Sequence, residues 1–109
     1  MNTNNKYKLE LSHQLCADLA KAIELVIIST DAVDDDDKLW ISSLYELNLE
    51  LTKRMIPAKK KYRFTLKPAL AFSIRILYTY YYAHSNISQL GNRLRTIADD
   101  IHKQYSKPN

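Results

Sequence analysis

Glycine is almost missing from this chain, with Gly91 the only one in 109 residues. A P-loop, a dinucleotide-binding fingerprint and a G-x-S-x-G nucleophile elbow each need more than one glycine, so all three are excluded. With only three prolines besides, the chain lacks material for the many tight turns of an all-β fold, and composition favours helices with short connections. Cysteine is as scarce. Cys16 stands alone, which excludes an intramolecular disulfide, and it falls on the apolar side of an amphipathic run, where a reduced thiol acts as a small hydrophobe. Long apolar runs are missing too. The most hydrophobic stretch, 69–83, contains Arg75 and is too short to span a bilayer, so no membrane association is expected. The opening residues 1–6 have neither an apolar core nor a cleavage pattern, and the expected location is cytoplasmic.

Catalytic equipment is also lacking. His13, His84 and His102 lie far apart from one another in sequence, so no metal or other cofactor is expected. The run Asp34 to Asp37 lacks the alternating ligands, turn glycine and distal glutamate of a calcium loop, and reads as solvated carboxylates at a helix start. No enzymatic activity is expected.

Glutamate is absent from the second half. Residues 1–55 carry six Lys/Arg against ten Asp/Glu, a net −4, while residues 56–109 carry ten against two, a net +8. Such asymmetry marks a basic surface for nucleic acid or an acidic partner, unless the halves neutralise each other in the fold. The length fits a single domain, 1–109, with the composition of a globular protein.

What the chain does contain is a repeated pattern. Tyr7-Lys8-Leu9-Glu10-Leu11 and Tyr62-Arg63-Phe64-Thr65-Leu66 alternate apolar and polar residues, as half-buried strands do, and each leads into an amphipathic run. At an offset of 55, Tyr7/Tyr62, Leu11/Leu66 and Leu15/Leu70 are identical, and Leu9/Phe64 and Leu19/Ile74 are alike in kind. The expected fold is mainly α, of the α+β class: four helices and two short strands in the order β-α-α-β-α-α, with pseudo-repeats at about 7–55 and 62–105. If a pseudo-twofold axis relates the copies, the strands pair antiparallel. Leu9 then faces Phe64, Glu10 faces Arg63 and Tyr7 faces Leu66.

Within the helices, Leu15, Leu19, Ala22, Ile23 and Val26 line the core face of the first, with Ser12 as its cap. Trp40, Leu44, Leu47, Leu51 and Met55 line the second, which Pro57 stops. Pro68 opens the third, whose core face is Leu70, Ile74, Leu77 and Tyr81. Asn86 with Gln89 resembles a capping box for the fourth, lined by Ile87, Leu90, Leu94, Ile97 and Ile101. Gly91 inside that helix suggests the close approach of a neighbouring backbone.

Two surfaces are candidates for function. The third helix is apolar on more than its core face, and Phe72, Ile76, Tyr80 and Tyr82 remain to be covered. Tyrosine suits interfaces because its ring is apolar and its hydroxyl stays wet, so these four form the expected protein interface. The second surface is the basic segment that runs from Lys53-Arg54 to Lys67, which has the charge to grip phosphates, with Lys59, Lys60, Lys61, Arg63 and Lys67 as its candidate contacts. Strand alternation sends Tyr62 and Phe64 to the face opposite Arg63. The segment therefore reads also as an exposed basic strand that protects a sheet edge.

The stretch Tyr7-Lys8-Leu9-Glu10-Leu11-Ser12, with Leu15 and Leu19-Ala20-Lys21-Ala22-Ile23-Glu24-Leu25, resembles the opening of small uncharacterised bacteriophage proteins. The resemblance covers the strand, the polar cap and the first helix, and it implies a bacterial or mobile-element setting without an activity. The expected function is a non-catalytic protein-interaction module that binds another protein or itself as a homodimer. The alternative is a nucleic-acid-associated accessory protein that uses the basic second half.

Overall fold

The computed structural model describes residues 5–82 and 88–106. The element order is β1 (Tyr7–Ser12), α1 (His13–Ser29), α2 (Asp35–Arg54), β2 (Lys61–Leu66), α3 (Pro68–Tyr81) and α4 (Gln89–Tyr105). The protein is thus mainly helical, with a two-stranded antiparallel sheet in the expected β-α-α-β-α-α order. The His13 amide donates to the Lys60 carbonyl at 2.9 Å, and Glu10 lies against Arg63. Residue numbers in both pairs sum to 73, which is the register expected from the repeat. Both strands alternate as their sequences do: Tyr7, Leu9, Leu11, Tyr62, Phe64 and Leu66 are buried, and Lys8, Glu10, Lys61, Arg63 and Thr65 are exposed.

The chain divides into two compact units, residues 10–64 and residues 1–9 with 65–109. The boundary runs through both strands, so it does not coincide with the sequence repeats.

In the continuous unit, 10–64, α1 packs on α2. Ser12 caps α1 as expected, its Oγ accepting from the Leu15 amide at 3.2 Å. The core face of α1 is rotated slightly from the expected one. Leu15 is half-buried, while Cys16, Leu19, Ala20, Ala22, Ile23 and Val26 are buried. In α2, Leu44, Leu47 and Leu51 are buried, with Trp40 and Met55 half-buried toward the two ends. Asp34 caps α2 by accepting from the Asp37 amide at 2.8 Å, and Asp37 in turn accepts from the Val33 amide at 3.3 Å. The acidic run therefore complements the positive end of the helix dipole, as Lys53 and Arg54 complement the other end.

In the split unit, 1–9 and 65–109, α3 packs on α4 through Leu70, Ala71, Ile74 and Leu77 against Leu94, Ile97, Ala98 and Ile101. Ser73 is buried among them, its hydroxyl satisfied by the Leu70 carbonyl at 2.6 Å. Tyr81 does not join the core, contrary to the periodic reading: it is the last residue of α3 and is exposed. The start of α4 also differs from the expectation. Ser88, not Asn86, is the cap, and its Oγ accepts from the Gly91 amide at 2.9 Å. Asn86 and Ile87, like His84, lie outside the described residues. The reason for Gly91 is that cap rather than a neighbouring backbone. A Cβ at 91 would stand 3.0 Å from Ser88 Oγ and 3.7 Å from a ring carbon of Tyr82.

Candidate interaction surfaces

The basic segment of the continuous unit forms a cleft of about 420 Å³, lined by Glu10, Arg54, Lys59, Lys61, Tyr62 and Arg63. Each wall has a local cause. Strand alternation puts Lys61 and Arg63 on the exposed face of β2, and the register brings Glu10 within 3.6 Å of the Arg63 guanidinium. Both partners are well exposed, so this ion pair contributes less than about 1 kcal/mol. Arg54 arrives from the last turn of α2 and lies over the Phe64 ring, 5.8 Å from its centroid, a cation–π contact that limits where its charge can go.

Tyr62 forms the back of the cleft. Its hydroxyl accepts from the Lys59 amide at 2.8 Å and bonds His13 Nδ1, also at 2.8 Å, with the two rings tilted at 5.8 Å. Lys59 is thereby fixed by its own backbone. The Tyr62 ring is only 3% exposed, so it is a wall rather than a platform on which a base could stack. Of the basic residues read from the sequence, Lys59, Lys61 and Arg63 come together here. Lys60 does not line the cleft, and Lys67 lies in the split unit at the N-cap of α3. Arg54, from the start of the basic segment, joins them, and Glu10 is the member that sequence reasoning did not assign to the site. Expected strand pairing of Glu10 with Arg63 was the available signal for it.

The aromatic surface belongs to α3. Phe72, Ile76 and Tyr80 recur at four-residue steps and so share one stripe beside the buried face. Phe72 is 37% exposed, Ile76 half-buried and Tyr80 75% exposed. The Phe72 ring also meets that of Tyr105 in α4, centroids 5.1 Å apart. Tyr82 is not on this stripe; it lies half-buried beside Gly91 at the start of α4.

Burial raises the pKa of three groups, Cys16, Tyr7 and Tyr105. Burial pushes the Cys16 thiol up to about 11, so at neutral pH it is a protonated core side chain and not a nucleophile. Burial, reinforced by the Asp100 carboxylate, pushes the Tyr7 hydroxyl up to about 12. That hydroxyl points at Asp100 Oδ2, 3.5 Å away. Among the described residues, no three His, Cys, Asp or Glu side chains gather as metal ligands would, and no helix is long and apolar enough to cross a membrane. No protein-family model, no curated protein and no solved structure matches this chain.

Proposed function

We propose that this chain is a non-catalytic protein-interaction module of the cytoplasm, binding a second copy of itself or another protein. The observation that carries the reading is the stripe Phe72, Ile76 and Tyr80, which leaves large apolar side chains at the surface of a helix whose core face is already filled. Aromatic and aliphatic anchors set in a row are what a protein partner buries, and contiguous apolar patches mark such sites. Tyr80 suits the role because its ring is apolar and few rotamers are lost when it is fixed.

The test is sedimentation across a concentration series, paired with thermal melting. The variant Ile76→Ser with Tyr80→Ser is expected to stay folded and to lose association by about thirtyfold, the effect of removing anchors of about 2 kcal/mol. A natural chain that stays monomeric at all concentrations, together with no partner lost by the variant, would overturn the reading.

A further inference from the structure

We propose that the cleft bounded by Arg54, Lys59, Lys61 and Arg63 binds the phosphate backbone of a nucleic acid. This goes beyond the apolar stripe of α3 and rests on different residues. Four cations from three separate places in the chain converge on one open cavity: the end of α2, the connection before β2, and β2 itself. Three have contacts that do not depend on any ligand. Arg54 lies over Phe64, the Lys59 backbone is held by the hydrogen bond from its amide to the Tyr62 hydroxyl, and Arg63 pairs with Glu10.

The extent of the cleft suits a polymer better than a single ion. Lys61 and Arg63 stand two residues apart on one strand face, about 6.6 Å by strand rise. That is close to the step between successive phosphates along a nucleic-acid strand. A volume of about 420 Å³ is also far more than one phosphate group fills. The lining favours a phosphate backbone over an acidic protein segment. Four of its six residues are cations, and its one aromatic side chain, Tyr62, is only 3% exposed, whereas a protein partner needs an apolar anchor at the centre. A phosphate backbone needs none. Base identity is not read here, because no aromatic platform is open to stack on.

Glu10 gives the cleft its own built-in competitor. Its carboxylate occupies Arg63 before any ligand arrives, so neutralising it should strengthen binding. That expectation distinguishes a defined site from general positive charge.

The experiment is fluorescence anisotropy of a labelled 20-nucleotide single-stranded DNA against the full chain, at several salt concentrations. Three to four phosphate contacts predict a slope of log affinity against log salt of about −2 to −3. Arg54→Glu with Lys61→Glu is expected to weaken binding by tenfold or more. Lys61→Glu alone is expected to weaken it by about threefold or more, whereas Lys60→Glu, the same charge change one residue outside the cleft, is expected to change it by less than about twofold, since screened charges away from the contact act weakly. Glu10→Gln is expected to tighten binding by about two- to fivefold, a gain that a merely unfolded variant would not show. Absence of binding at about 50 mM salt would overturn the proposal. So would equal losses from Lys60→Glu and Lys61→Glu, or competition by polyglutamate as strong as by unlabelled DNA.

Discussion

Tyr7 and Tyr62 open the two strands at equivalent positions of the repeat, and both rings are buried, yet their hydroxyls meet opposite company. In the split unit Tyr7 points at the Asp100 carboxylate. In the continuous unit Tyr62 receives the Lys59 amide and bonds His13, with Lys59, Lys61 and Arg63 around it. The shared feature is the one that packing demands, an aromatic ring at the start of a half-buried strand. The hydroxyl is free to differ because its partners do not correspond in the two copies: Asp100 lies within α4, whereas Lys59 is in a connection and His13 begins α1. The difference extends to the outer surfaces. The continuous unit presents a cationic cleft, and the split unit presents the apolar stripe Phe72, Ile76 and Tyr80. One plan of strand ends and paired helices therefore supports two chemically distinct surfaces, and the core positions say little about either.

The sharpest way to test how alike the two units are is to remove the same core residue from each. Leu19 of α1 and Ile74 of α3 are equivalent in the repeat and both fully buried. Leu19→Ala and Ile74→Ala are each expected to cost about 3 kcal/mol, transfer plus cavity. Hydrogen exchange of the variants should show the loss centred on the helix pair that carries the substitution. Costs differing by more than about twofold would mean that the two cores are not packed alike.

A smaller effect separates the units by pH. Cys16, in the continuous unit, is raised from 9.0 to about 11, and Tyr7, in the split unit, from 10.0 to about 12. In both cases the unfolded chain gives up its proton first, so unfolding gains as pH rises. The contribution of Cys16 is complete below pH 9 and lost by about 11; that of Tyr7 is complete below pH 10 and lost by about 12. An acidity weakened about a hundredfold on folding corresponds to at most about 2.7 kcal/mol for each group. Denaturant unfolding at pH 8, 10 and 11.5 should show Cys16→Ala removing the earlier part of the alkaline decline and Tyr7→Phe the later part. A decline unchanged in both variants would mean that neither group stays protonated in the folded chain.

The strands, their register and the helix order were legible because each rests on a period: two for Tyr7 to Leu11 and Tyr62 to Leu66, and 3.6 for Leu44, Leu47 and Leu51. Errors fall where periods end. Tyr81 continues the spacing of Leu70, Ile74 and Leu77, but a stripe carries no mark of where its burial ends. Asn86 and Ser88 are both good caps, and only the backbone shows that Ser88 holds the Gly91 amide. The cleft was half legible. Lys59, Lys61 and Arg63 are neighbours in sequence and Arg54 opens the same basic segment, whereas the contact of Arg54 with the Phe64 ring and the place of Glu10 in the lining depend on tertiary structure. Composition groups Tyr82 with Tyr80, although helix geometry places it well away from the stripe.

The smallest effect concerns how the two units start their first helices. Ser12 and Lys67 are equivalent N-caps with nearly the same backbone, φ −66° and ψ 163° against φ −67° and ψ 158°. Ser12 supplies a side-chain acceptor to the Leu15 amide, while Lys67 supplies none and leaves the start of α3 to Pro68, whose ring nitrogen has no proton to satisfy. Ser12→Ala is therefore expected to cost about 1 kcal/mol. The reverse change, Lys67→Ser, should not return the full amount. The Leu70 amide, which a serine hydroxyl at 67 would receive, already donates to the Lys67 carbonyl at 3.0 Å. What remains is relief of a cation at the positive end of a helix dipole, plus a second acceptor for an amide that has one, together about 0.5 kcal/mol. Denaturation midpoints of the two single variants measure both numbers. Equal and opposite shifts would mean that Pro68 contributes nothing to starting α3, and that the two helices begin in the same way despite their different caps.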